Sequence, residues 1–206
     1  MRVAVEQAVA QALDAGVRLF QYRNKRGARK NIYDTALRLA PIIRKAGGTL
    51  IINDHADIAC SADADGVHLG QDDLPIEYAR KLLGNDKLIG ISTHSAEQAN
   101  AAEAAGADYV GFGPIFFTTT KDAGSPQGLA QISIIRKAVA IPLLAIGGIH
   151  HTNAVEVIRA GADGIAVISA ILGAADIKQA AKDMITLLQK TEYGRQITDK
   201  GKGTTS

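Results

Sequence analysis

"AGADYVGFG" at residues 105–113 reappears as "AGADGIAVI" at 160–168. Each copy closes an Ala-rich stretch and opens a run rich in β-branched or aromatic residues, which spells helix end, turn, strand start. Glycine suits the turn because a chain leaving a helix passes through the left-handed conformation. Shorter echoes stand at 15–17 ("AGV") and 64–67 ("ADGV"). Shared turn chemistry is enough to explain the repeat, so by itself it assigns no function.

Working outward, strand-type runs recur as "VRLFQY" (17–22), "TLIIN" (49–53), "GVHLG" (66–70), "LIGIS" (88–92), "DYVGFGPIF" (108–116), "PLLAIGG" (142–148) and "GIAVIS" (164–169). Helical spacing fills the intervals. Val5, Val9 and Leu13 share one face of a helix over 3–16, and Leu37, Ala40 and Ile43 do the same over 33–46. Ser95 with Gln98 spells a capping box for a helix over 95–105. Alternating strand and helix imply a parallel sheet, either a barrel or a doubly wound open sheet. Polar clusters follow nearly every strand, which favours the barrel, because an open sheet gathers its ligand contacts at one switch point. The chain opens with a helix. The expected fold is therefore a (β/α)8 TIM barrel with seven recognisable strands and the first strand missing. Its domain covers 1–190, with a frayed polar tail at 191–206. An open barrel edge exposes unpaired backbone and predicts a substitute strand or self-association into a homo-oligomer.

Composition narrows the function. The 206 residues suit one core, and the net charge of +2 is too small to point to nucleic acid or a membrane surface. The lone Cys60 excludes an internal disulfide and a cysteine zinc site. Its surroundings predict a packed thiol at a helix end. Glu6 and Asp14 fall where a signal peptide is apolar, and no run is long enough to span a membrane. A cytoplasmic protein is expected.

In a barrel the strand C-termini share one face, and that face carries the site. Here those ends read Gln21, Arg23 and Lys25; Asn53 and Asp54; Gln71, Asp72 and Asp73; Ser92, Thr93 and His94; Thr118, Thr119, Thr120 and Lys121; Gly147 and Gly148; and Ser169. Arg23, Lys25 and Lys121 can surround a polyanion, Arg as a planar fork and Lys as a point charge. Asp54 and Asp73 follow consecutive strands and would repel each other beside those cations unless a metal lies between them. Mg²⁺ accepts one or two carboxylates and bridges to phosphate oxygens. Asp73 or Asp72 could instead cap the helix that follows. Gly148 permits close backbone approach to a ligand, and Ser169 opens a helical segment suited to an anion. Two phosphate-type sites suggest two phosphorylated reactants.

The histidines point less clearly. His68 alternates inward, His150 and His151 read as loop surface, His55 adjoins Asp54, and His94 stands at a strand end. Neither HExxH nor GxSxG occurs, which argues against zinc and acyl-enzyme chemistry.

The segments "QYRNK", "INDHADIA", "GVHLGQDDL", "GISTH", "DYVGFGPIFFTTTKDAGSPQGL", "LLAIGGI" and "GIAVISAI" resemble, in order, the thiamine phosphate synthase family. The resemblance implies a Mg²⁺-dependent barrel enzyme. It would join 4-amino-5-hydroxymethyl-2-methylpyrimidine diphosphate to 4-methyl-5-(2-phosphoethyl)-thiazole, giving thiamine phosphate and diphosphate. By position, Gln21, Tyr22, Arg23, Asn24 and Lys25 match the pyrimidine diphosphate motif, and Asn53 the residue addressing the pyrimidine substrate. Asp54 and Asp73 match the metal ligands. Ser92 and Lys121 match further contacts to that substrate. Thr118, Thr120, Gly148, Ile168 and Ser169 match the thiazole phosphate contacts. Arg23, Lys25, Ser92 and Lys121 carry the implied catalysis, which is electrostatic and needs no strong base. Tyr22, His55 and Phe117 depart from the family's usual residues, as does the missing first strand. A thiazole tautomerase of the same fold, or a binding-only relative, is the rival reading. The first needs neither the cations nor the carboxylate pair.

Overall fold

The computed structural model describes residues 3–119 and 124–201, with side chains through residue 191. In chain order the elements are α1 (Val5–Ala15), β1 (Leu19–Tyr22), α2 (Arg29–Lys45), β2 (Thr49–Asn53), α3 (Ala56–Ser61), β3 (Gly66–Leu69), α4 (Ile76–Leu83) and β4 (Leu88–Thr93). They continue as α5 (Ala96–Ala104), β5 (Tyr109–Phe112), α6 (Leu129–Ala138), β6 (Leu143–Ile146), α7 (Ala154–Arg159), β7 (Gly164–Ala166), α8 (Ser169–Leu172) and α9 (Ile177–Gly201).

The strands form one parallel sheet in sequence order, β1 through β7. That order rules out the doubly wound alternative, whose strand sequence reverses at a switch point. Instead the sheet curls as a (β/α) barrel short of one strand, with β1 and β7 as its ends. Helices bridge the interval the sheet leaves. α1 packs against both α2 and α9, and Lys178 of α9 reaches Asp14 of α1 at 3.2 Å. The barrel wall carries Leu50, Ile52, Val67, Leu69, Ile89, Val110, Phe112, Leu143 and Ala145, all buried against the helices.

The repeat that opened the sequence has a physical cause. In three helix-to-strand turns an aspartate exchanges two hydrogen bonds with the preceding strand. Asp65, Asp108 and Asp163 accept from the backbone N–H of Leu50, Ile89 and Leu143 at 2.7, 2.7 and 2.8 Å. Their own N–H groups donate back to the carbonyls of the same residues at 2.9, 2.8 and 2.9 Å. The short carboxylate satisfies an orphan donor where the ladder begins and so fixes the register. Arg80 and Arg136 pair with Asp108 and Asp163. The repeat is a fold device, as turn chemistry alone implied.

Several local expectations are corrected. Leu37 is exposed, and the buried face of α2 is Ile32, Ala36, Leu39, Ala40 and Ile43, a stripe set by the packing of α1 and β2. Cys60 is exposed too, on the outer side of α3, where Ile58 and Ala59 take the core positions. α9 carries the backbone through Gly201, so a helix runs through most of the stretch expected as a frayed tail. Ile177, Ala181 and Met184 anchor its first turns, and propagation from an anchored helix is cheap. The Ser95 cap holds as read: its hydroxyl accepts from Gln98 N, while the Gln98 carboxamide accepts from His94 N at 2.7 Å.

Candidate active site

A cavity of about 150 Å³ opens at the C-terminal ends of β1 to β4, lined by Arg23, Lys25, Asn53, Asp54, Asp73 and Ser92 with Gly70, Gln71 and Asp72. Eight of the strand-end residues thus meet in one place. β2 and β3 pair in parallel, with Asn53 opposite His68, and this brings the loops bearing Asp54 and Asp73 side by side. Asp54 adopts φ +66°, a conformation that Asp and Asn tolerate best among residues with a Cβ. Its N–H is held by the His68 carbonyl at 2.8 Å.

The electrostatics are those of two carboxylates sharing one cation. Lys25 Nζ lies 2.5 Å from Asp54 Oδ2, and Asp73 Oδ2 accepts from Gly70 N at 2.6 Å. Burial works to raise the Asp54 carboxyl, but the Lys25 ammonium, aided by Asp73 and His55, outweighs it and holds that carboxyl below its usual range. Asp73 is pushed up, first by burial and then by the neighbouring Asp54, against the Gly70 N–H. Among the described residues no three His, Cys, Asp or Glu side chains gather to hold a metal by themselves. A pair of adjacent carboxylates does fit Mg²⁺, a hard ion that keeps waters and completes its shell with phosphate oxygens. Nearby, Arg23 Nε is buried with no hydrogen-bond partner. An orphaned guanidinium donor in a cationic cavity is what an anionic ligand would satisfy.

Deeper in the barrel the cavity floor is polar. Ser92, on β4, is buried, and its Oγ lies 2.9 Å from His68 Nε2; the other ring nitrogen, Nδ1, lies 3.0 Å from the Tyr109 hydroxyl. Burial pushes the Tyr109 hydroxyl well above its usual ionisation range, while a hydrogen bond from Gln21 works the other way. Gln71 Nε2 donates to the Ser92 carbonyl at 2.7 Å. Gln21, on β1, is exposed and does not line the cavity. Sequence reasoning missed Tyr109 and gave His68 no role beyond the core. The available signal was a histidine on an inward strand position with glycines, Gly90 and Gly111, on the next two strands.

The remaining candidates lie elsewhere. Tyr22 packs against the core, and the Asn24 carboxamide accepts from Arg26 N and Gly27 N, tying its own loop. Gly148 has φ +66°, and a Cβ there would stand 2.5 Å from the Phe117 carbonyl and 2.7 Å from Phe116 Cβ. The close approach it allows is therefore to the segment after β5, which carries Thr118. Ile168 is half-exposed at the N-cap of α8, and Ser169 opens that helix. Thr120 and Lys121 lie outside the described residues. Among the histidines, His94 Nδ1 bonds the Gly113 carbonyl at 2.6 Å and His151 Nε2 the Ala180 carbonyl, so both stitch loops. The carboxylate of Asp73 caps no helix; Pro75 occupies the N-cap of α4.

A family model described as thiamine monophosphate synthase matches residues 2–171. A thiamine-phosphate synthase of Chloroflexus aurantiacus is 47% identical over 192 residues, covering 93% of this chain and 87% of that protein. One from Chlorobium limicola is 48% identical over 186 residues, covering 89% of each. Among solved structures, a thiamine phosphate pyrophosphorylase from Pyrococcus furiosus superposes with a TM-score of 0.84 at 37% identity, covering 91% of both chains. A 3-hexulose-6-phosphate synthase, 20% identical with a TM-score of 0.65, covers 88% of this chain and 92% of its own, and shares the fold.

Proposed function

This chain belongs to the thiamine monophosphate synthase family and its activity is that of a thiamine-phosphate synthase, a transferase; on that premise we propose that the cavity at the ends of β1–β4 holds the diphosphate-bearing substrate. The observation that carries this reading is the orphaned Arg23 Nε beside Lys25 and the Asp54–Asp73 pair. The proposed substrates are the pyrimidine methyl diphosphate and the thiazole phosphate. Asn53 and Ser92, at the cavity wall, address the first. Thr118, Gly148, Ile168 and Ser169, together with Thr120, are assigned to the second, and Lys121 to the first. Supporting this division, the contact of Gly148 with Phe116 and Phe117 draws the loop after β5 onto the loop after β6.

Asp54 and Asp73 would hold Mg²⁺, which when bound supplies positive charge to the diphosphate oxygens. Lys25 pairs with Asp54 in the cavity wall, where its ammonium would also be within reach of a bound diphosphate. Arg23 and Lys25 then take up the charge that develops on the leaving group. The bond from the pyrimidine methylene carbon to the diphosphate oxygen breaks with its electron pair leaving on oxygen, and the thiazole nitrogen donates its lone pair to that carbon. No side chain needs to remove a proton, which agrees with a site rich in cations and hydroxyls. Positioning and electrostatic stabilisation account for the rate.

Residues 1–190 are read as one catalytic domain. No helix among the described residues is long and apolar enough to cross a membrane, in keeping with a proposed cytoplasmic setting. Among the described residues β1 and β7 end the sheet with no further strand beside them, which supports self-association, and sedimentation of the purified protein tests it. The function itself is tested by mixing the protein with both substrates and Mg²⁺ and following thiamine phosphate. Formation that requires both substrates agrees with the proposal. Folded protein that yields none refutes it.

A further inference from the structure

Three buried polar side chains form a hydrogen-bonded chain across the barrel floor beneath the cavity: Tyr109 on β5, His68 on β3 and Ser92 on β4. Its geometry is carved by two glycines. Gly90 stands in register between His68 on one side and Tyr109 on the other, and Ser92 stands beside Gly111. A Cβ on Gly90 would lie 2.0 Å from Tyr109 Cζ, and one on Gly111 would lie 3.1 Å from His68 Cε1. Only because both wall positions lack side chains can two rings from non-adjacent strands meet, with centroids 5.5 Å apart. The sheet has been emptied locally to bring an imidazole against Ser92.

The direction of these hydrogen bonds follows from their donors. Tyr109 is buried and keeps its proton, and its hydroxyl meets the His68 ring. Its single proton then goes to His68 Nδ1, 3.0 Å away. A neutral imidazole accepting at Nδ1 carries its proton on Nε2. That proton points at Ser92 Oγ, 2.9 Å away. With its oxygen already accepting, Ser92 has its own proton left to donate.

We propose that Tyr109 and His68 are positioning residues that fix His68 as its Nε2–H tautomer and so turn the Ser92 hydroxyl proton into the cavity, as a donor to an anionic phosphate oxygen. The opposite polarity would spend the Ser92 proton on His68 and face its lone pairs toward phosphate oxygens. The last link rests on the diphosphate reading of the cavity; the tautomer does not. The tyrosine is the polarity-setting member because the His68 ring and the Ser92 hydroxyl can each donate or accept, whereas a buried phenol proton left without an acceptor is costly.

The test begins with ligand-free protein labelled with ¹⁵N-histidine. The ring shifts of His68 should show Nδ1 without and Nε2 with a proton. Tyr109→Phe keeps the ring and its packing, and should populate the other tautomer. Inorganic diphosphate with Mg²⁺, titrated by calorimetry, should bind the variant about tenfold more weakly, equivalent to about 1.4 kcal/mol. In a Ser92→Ala background the same substitution should weaken binding no further. A proton on Nδ1 of His68 in the unaltered protein overturns the proposal. So does a Tyr109→Phe variant whose tautomer and diphosphate affinity are both unchanged. Should the unaltered protein hold the Nε2–H tautomer yet bind no diphosphate, the relay stands and the cavity's diphosphate assignment falls.

Discussion

Replacing Gly90 by alanine should damage the site through a single methyl group. The added carbon would lie 2.0 Å from Tyr109 Cζ and 2.4 Å from both its Cε2 and its hydroxyl. Ordinary carbon contacts begin near about 3.5 Å, so the ring must retreat by more than an ångström. Tyr109 is only 7% exposed, and its hydroxyl is tied to His68, so no empty space receives it. An off-rotamer ring costs about 0.5–1.5 kcal/mol, and the lost hydrogen bond about 1 kcal/mol. Their sum, about 1.5–2.5 kcal/mol, falls within what overpacking usually costs. For a protein of this size that lowers Tm by roughly 3–10 °C, measured by calorimetry or dye fluorescence. Turnover should fall as well, since Ser92 loses its support. Because the cause is one contact, Tyr109→Ala should relieve it: in that background Gly90→Ala should cost little, giving a clear coupling in the double-mutant cycle. An alanine variant with unchanged Tm, or costs that simply add, would refute the proposed packing.

Asp108→Ala strips an acceptor from both Ile89 N–H and Arg80, and should cost about 1–3 kcal/mol while leaving substrate KM unchanged, as unfolding curves and steady-state kinetics will show. Asp73→Asn should raise the Tm of metal-free protein near neutral pH and at the same time abolish Mg²⁺-dependent turnover. The sign follows from linkage: the native state raises the Asp73 pKa, so it binds more protons than the unfolded chain, and stability is lost as pH rises through the native pKa. The asparagine oxygen can still accept the Gly70 N–H without the charge, so the pH-dependent loss should shrink in the variant's melting profile. For Asp54 the direction reverses: its lowered pKa contributes stability above the unfolded value that is lost as pH falls through the native one. Asp54→Asn should therefore flatten the acid limb of the melting profile.

Much of the fold was legible because its determinants are local. Glycine turns and period-two runs identify β2 to β7 within a few residues, and the repeated aspartates announce the strand starts. Where packing decides, local reading falls short. Leu37 fits the apolar period but faces away, because α1 and β2 meet a different stripe of α2. The polar stretch after Leu188 continues as helix, since a helix anchored by Ile177, Ala181 and Met184 tolerates Gly194 at a cost of about 1 kcal/mol. At the site, the charged and polar residues after β1 to β4 were visible as types, and parallel register brought eight of them into one cavity. The roles of His68 and Tyr109 could not be seen so easily. They lie forty-one positions apart in the chain and touch only across Gly90, a residue whose importance is the absence of a side chain.

The most direct measurement is the synthesis of thiamine phosphate from the pyrimidine diphosphate and the thiazole phosphate by purified protein, with Mg²⁺ added and then chelated, for the unaltered chain and for Arg23→Gln. The account predicts product from the unaltered chain, its loss on chelation and recovery with Mg²⁺, and a fall of at least about tenfold in kcat/KM for Arg23→Gln, since a hydrogen bond to a charged group contributes about 1.5–3 kcal/mol. Product formed equally well without Mg²⁺ and without the Arg23 guanidinium would contradict the claim that this cavity neutralises a leaving diphosphate.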